Sequence, residues 1–112
     1  TTSSPENYVS SWKTQKQLSP DDFILGSAYP NPFNPITYLD ITIPITERVK
    51  ISIVDILGRE VRVLENNMMV TGNYRISWNG RGELGSLVSS GTYFVVMDYG
   101  KNTQIKKILF LK

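Results

Sequence analysis

From Phe23 onward the chain reads as short β-branched and aromatic runs broken by Gly, Asn and Pro. Val49, Ile51 and Ile53 alternate with Lys50 and Ser52, and Tyr74, Ile76 and Trp78 alternate with Arg75 and Ser77. A period of two sends successive side chains to opposite faces of a strand, so each of these segments has one dry face. The pattern predicts strands over Thr37–Ile43, Val49–Ile56, Glu60–Leu64, Asn73–Trp78, Thr92–Tyr99 and Gln104–Leu111, with Phe23–Leu25 as a short seventh. Thr92–Tyr99 and Ile105–Leu111 are apolar at nearly every position, which predicts cover on both of their faces or one face that meets a partner, the linker or the parent protein.

Turn chemistry lies between the runs. Leu57-Gly58, Thr71-Gly72-Asn73, Asn79-Gly80, Leu84-Gly85-Ser86, Ser90-Gly91 and Tyr99-Gly100-Lys101-Asn102 each offer a residue tolerant of positive φ. No amphipathic stretch between strands is long enough for a crossover helix, which argues against a parallel βαβ sheet. The expected fold is therefore all-β: an antiparallel immunoglobulin-like sandwich of about seven strands that buries Ile51, Ile53, Ile76 and Trp78 between two layers. Residues 1–22 differ in texture. They are rich in Ser, Thr, Gln and Lys without a sustained period and are expected to be a linker, with Trp12 as the one side chain suited to docking on the domain at 23–112.

Composition removes much familiar chemistry. The chain has 112 residues, room for one domain, and contains neither Cys nor His. Thiol nucleophiles, imidazole acid–base catalysis and Cys/His zinc or haem ligand sets are thereby excluded. A net charge of +2 is too small for the broad basic field of a nucleic-acid binder. No run approaches the length of a membrane span. The carboxylates form no recognisable catalytic pair, since Asp40, Asp55, Glu60 and Asp98 fall on different predicted strands or turns, and no phosphate-binding loop or nucleophile elbow is present. No enzyme and no cofactor are expected; a calcium ion on clustered Asp and Asn loops is the one metal reading left open.

Tyr29-Pro30-Asn31-Pro32-Phe33-Asn34-Pro35 is the most distinctive segment. Its three prolines fix φ and keep it out of any central ladder, so it reads as a stiff extended loop whose Tyr29 and Phe33 cap one end of the sandwich. Asp55, just before Leu57-Gly58-Arg59, is placed to accept the turn's backbone N–H groups. Trp78 reads as the largest core plug, its indole N–H bonded to a loop carbonyl. Lys101, Lys106, Lys107 and Lys112 gather on the last strand, where lysines on a sheet edge discourage pairing with other chains.

The proline segment resembles the YPNPFNP signature that opens the type IX (Por) secretion system C-terminal sorting domains of Bacteroidetes-type bacteria. Val49-Lys50-Ile51-Ser52-Ile53-Val54-Asp55-Ile56-Leu57-Gly58-Arg59-Glu60-Val61 resembles that family's central hairpin, and Trp78-Asn79-Gly80-Arg81 its Trp-[Asp/Asn]-Gly segment. Ser90-Gly91-Thr92-Tyr93-Phe94 and Lys106-Lys107-Ile108-Leu109-Phe110-Leu111-Lys112 are similar to its last two strands, with Ser89 where the family often has Pro. The resemblance runs in order from about Phe23 to Lys112, where such a domain should stop. Closely similar patterns occur in the immunoglobulin-like domain of flagellar hook-capping proteins.

The resemblance implies a non-catalytic C-terminal module that directs an upstream passenger in the same polypeptide across the outer membrane, to be secreted or held at the cell surface. Its partners would be protein components of the outer-membrane machinery and a sortase-like protease, with no nucleic acid and no membrane span of its own. The signal is expected at Lys106, Lys107, Ile108, Leu109, Phe110, Leu111 and Lys112, with the last strand a candidate for strand addition by a partner. Tyr29, Pro30, Asn31, Pro32, Phe33, Asn34, Pro35, Asp55, Gly58, Trp78, Gly80, Gly91 and Tyr93 are expected to build the frame. Two other readings remain at this point. One is a carbohydrate-binding or spacer module of a secreted hydrolase, which would expose coplanar rings among Tyr93, Phe94, Tyr99 and Phe110; the other is a hook-capping-like assembly domain.

Overall fold

The computed structural model describes residues 22–112, so the linker expected over 1–22 and the docking of Trp12 lie outside the described residues except at Asp22. Seven strands follow one another: β1 Ile24–Leu25, β2 Thr37–Ile43, β3 Glu47–Val54, β4 Glu60–Met69, β5 Gly72–Trp78, β6 Gly91–Tyr99 and β7 Asn102–Phe110. They form a three-stranded sheet in the order β1-β2-β5 and a four-stranded sheet in the order β4-β3-β6-β7. Every strand pair is antiparallel. This is the expected immunoglobulin-like sandwich.

The alternating runs supply its interior. Leu39 and Ile41 of β2, Val49, Ile51 and Ile53 of β3, Val95 and Met97 of β6 and Ile108 of β7 are all at or below 1% exposure, and Trp78 joins them. Ile76 sits at 9%, near the open side between β4 and β5. Burying side chains of this size removes apolar surface worth roughly 1.5–3 kcal/mol each, which is the main driving force for closing the two sheets. Rings fill both poles. At one, Phe33, Trp78, Tyr93 and Phe110 stack with centroid separations from 4.9 to 6.2 Å. At the other, Phe23 lies flat on Tyr99 at 4.9 Å, and the Tyr99 hydroxyl donates to the Ile45 carbonyl.

Strand limits differ from the expected ones in ways that have physical causes. β3 begins at Glu47 and stops at Val54, two residues short of Ile56, because Asp55 turns the chain. β4 continues five residues past Leu64 to Met69. Glu65, Asn66 and Asn67 show no strand period, but pairing with the start of β3, from Glu47 opposite Met69 to Ile51 opposite Glu65, overrides their propensity. Two register shifts, at Ile51/Ser52 and Ile53/Val54, leave Leu64 and Val61 without an opposite residue, and both pack partly on the core. The cover expected on both faces of β6 and β7 is partial: the outer side chains Phe94, Val96 and Leu109 are half-buried, and Ile105 is 57% exposed.

Side chains cover part of two sheet rims. Gln104 of β7 reaches across to β1, accepting from Leu25 N and donating to Phe23 O, each at 2.8 Å. Glu83, in the β5–β6 connection, lies along β4: its carboxylate accepts from Val63 N at 2.6 Å and its own N–H donates to Val61 O at 3.2 Å.

Candidate functional site

The proline segment and the last strand, 76 or more positions apart in sequence, form one edge. Phe33 makes a parallel bridge with Phe110, donating its N–H to Leu109 O at 3.0 Å and accepting from Leu111 N at 3.2 Å. Asn31 holds the neighbouring turn of the ladder: its Oδ1 accepts from Leu109 N at 2.9 Å and its Nδ2 donates to Lys107 O at 3.2 Å. Thr37 Oγ1 donates to Pro30 O at 2.8 Å, and Tyr29 bridges Tyr38 through both backbone bonds. The X–Pro bonds at Pro30, Pro32 and Pro35 are cis. Phe33 is buried as the expected end cap, whereas Tyr29 is 40% exposed and lies outside the core, its hydroxyl donating to Asp40 at 3.1 Å beneath Arg75. Asn34 and Pro35 are exposed beside the last strand.

This clasp changes what β7 offers a partner. β7 is an edge strand, as expected, but its outward backbone groups from Lys107 O to Leu111 N are already paired with Asn31 and Phe33. Strand addition along that stretch is closed, and the open edge shrinks to the neighbourhood of Thr103 and Ile105. Side chains of the expected signal divide between two faces. Ile108 and Phe110 point inward at 0% and 1% exposure, with Lys106 half-buried on the same face. Lys107, Leu109, Leu111 and Lys112 point away from the core, and Lys112 N donates to Ser90 Oγ at 2.9 Å.

The frame residues lie mostly at this same pole. Asp55 Oδ1 accepts from Leu57 N and Arg59 N, both at 2.9 Å, while Oδ2 takes Arg59 Nε at 2.9 Å. These bonds, led by the Arg59 backbone N–H, hold the Asp55 carboxyl below its ordinary value. Gly58 closes the turn at φ +80°, with its N–H donating to Asp55 O. Trp78 Nε1 donates to Arg81 O at 2.9 Å, the loop carbonyl bond expected for a buried indole. Gly80 adopts φ +73°, and a Cβ there would stand 2.8 Å from the Phe110 ring. Gly91 opens β6 opposite Phe110; Tyr93 packs edge-on against Trp78 at 5.3 Å and donates its hydroxyl to Ser89 O.

Among the described residues no group of three or more Asp or Glu side chains comes together in a way that could hold a metal ion. The rings named for sugar stacking do not share an exposed face: Tyr93, Tyr99 and Phe110 are buried and Phe94 is half-buried. The loop pole does expose aliphatic side chains, with Ile56 and Leu57 each at 70% and Leu84 at 99%. Sequence reading missed Asn31 as the edge clamp and Gln104 as the tie to β1, because both act across 76 or more residues and carry no local signal.

Comparison with known proteins agrees with this geometry. Over 78% of its length the chain superposes with a TM-score of 0.59 on the crystal structure of dimeric latent PorU from Porphyromonas gingivalis, at 19% identity and over 9% of that much longer chain. At that identity the likeness is one of fold. No curated protein matches the chain in sequence. The model of the secretion system C-terminal sorting domain matches residues 27–111, which takes in the proline segment, the central hairpin, Trp78-Asn79-Gly80-Arg81 and all of the last strand. The chain therefore belongs to the family of type IX (Por) secretion system C-terminal sorting domains, which mark proteins for export through the outer membrane to the secreted or cell-surface state.

Proposed function

We propose that this domain is a conformational address: the secretion machinery reads the outer side chains of β7 together with the proline segment clasped to it, and export is followed by removal of the domain, which releases the passenger, or by its replacement with a surface anchor. The reading is supported chiefly by the clasp itself, in which Asn31 and Phe33 satisfy the edge of β7. A linear tail signal would need no such partner; a signal presented on a folded edge does. The exposed side chains Ile105, Lys107, Leu111 and Lys112 are the surface offered, and the passenger to be carried lies N-terminal to the sandwich. A sortase-like protease would then act on the chain preceding β1.

The test is an export assay with residues 23–112 fused behind a fluorescent passenger in a host carrying the system. Intact fusion should reach the surface or the medium, and a version truncated at Thr103 should stay inside. That truncation also removes Ile108 and Phe110 from the core, so the decisive partner is a folded surface variant, Ile105→Asp combined with Lys107→Glu. Retention of this variant with an unchanged melting temperature supports reading at the β7 face. Equal export of all three overturns it.

A further inference from the structure

Three motifs that lie far apart in the chain converge on one cleft at the loop pole. The end of the proline segment, the loop after Trp78 and the end of the last strand enclose about 290 Å³. Pro35, Ile36 and Leu87 form its walls with the Phe110 ring behind them, and Arg81 and Lys112 stand at its rim. The cleft is at the small end of ligand pockets, which run to about 300–1,000 Å³ for small molecules, so it fits one side chain better than a whole cofactor.

The Arg81 cation is built in. Its N–H donates to Asn79 Oδ1 at 3.2 Å, its carbonyl holds the Trp78 indole, and Nη1 donates to Gly85 O at 2.7 Å. A guanidinium has five N–H donors, so this single tether fixes its place and leaves donors for a ligand. Among the described residues the ion pairs are Lys50–Glu60, Arg59–Asp55 and Arg75–Asp40; neither Arg81 nor Lys112 takes part in one. An apolar hollow beside the Arg81 guanidinium, which takes part in none of these ion pairs, is complementary to an apolar group that carries a carboxylate next to it.

We infer that this cleft receives an aromatic or branched apolar side chain from an acidic peptide segment of a partner protein, with the adjoining carboxylate bound by Arg81. Given the sorting role above, on which the partner's identity rests, that segment belongs to the secretion machinery. The inference also accounts for the convergence: Gly80 lets Phe110 close the back of the cleft, and Asn34-Pro35 turns the clasped segment away along its wall.

The test uses the full chain labelled with nitrogen-15 and two probes, acetyl-Phe-Glu-amide and acetyl-Phe-Lys-amide. Shifts should centre on the Ile36, Arg81 and Leu87 amides, and the Glu peptide should bind about three-fold or more tightly than the Lys peptide. Arg81→Gln, which keeps the backbone bonds and loses only the exposed tether to Gly85 O, should abolish that preference while lowering the melting temperature by no more than about a few degrees. Scattered shifts, equal affinities, or a preference that survives Arg81→Gln overturns the inference. A second arm places Arg81→Glu with Leu87→Asp in the export fusion. Failure of the unaltered fusion to leave the cell counts against the sorting role itself. Normal export of both fusions leaves that role standing and overturns the use of the cleft.

Discussion

Replacing Gly80 by Ala tests the join between the central motif and the last strand. The residue sits at φ +73°, a left-handed conformation that costs an L-residue roughly 1–2 kcal/mol. Its new Cβ would stand 2.8 Å from two atoms of the Phe110 ring. That ring cannot retreat, being 1% exposed and packed against Phe33 at 4.9 Å and Trp78 at 6.2 Å. Overpacking of this kind adds about 1–3 kcal/mol, so Gly80→Ala should cost roughly 2–5 kcal/mol in total. Urea denaturation followed by near-ultraviolet circular dichroism reads the loss as a lower midpoint at unchanged slope. A double-mutant cycle separates the two causes. With Phe110→Leu the ring is gone, and Gly80→Ala should then cost only the backbone share of about 1–2 kcal/mol. Equal costs in both backgrounds would refute the steric account, and a cost below about 0.5 kcal/mol in the parent would refute the backbone account as well.

Three further outcomes are expected. Asn31→Ala removes two bonds to the β7 edge and should cost about 1–2 kcal/mol, with faster hydrogen exchange at the Leu109 amide; unchanged protection there would mean that the clasp does not depend on Asn31. Gln104→Ala frees Leu25 N and Phe23 O, and should cost about 1–3 kcal/mol while exposing the Leu25 amide to exchange before any residue of β3. Asp55 has a folded pKa depressed below the ordinary carboxylate value, chiefly by the Arg59 backbone N–H, so its contribution to stability is present above that ordinary value and is lost as pH falls through the lower folded one. Asp55→Asn keeps an oxygen for the Leu57 and Arg59 N–H groups but cannot titrate; its urea midpoint should fall less steeply than the parent's from about pH 5 to about pH 2, and parallel curves would exclude Asp55 as the source of acid sensitivity.

Much of the architecture was legible because burial imposes a period. Thr37–Ile43 alternates cleanly and is β2 residue for residue, and Ile51, Ile53 and Trp78 occupy the core that alternation assigns them. β4 was legible only as far as Leu64, since Glu65 to Asn67 are strand by virtue of their pairing with β3 rather than of their own preference. The proline segment was legible as a stiff loop and Phe33 as an end cap. Its docking along β7 was not, because an Asn that can satisfy its own backbone looks the same in sequence as one that satisfies a strand 76 residues away. The cleft at Arg81 was invisible for the same reason: its walls come from three motifs whose meeting is fixed only by the closure of the two sheets.

Asn31 on β7, Gln104 on β1 and Glu83 on β4 share one consequence. Wherever many identical copies of one sandwich stand close together, bare strand rims would template fibril growth. Here three of the four rims carry a side-chain plug over part of their length, which shortens the run of vacant backbone groups that a neighbouring copy could extend.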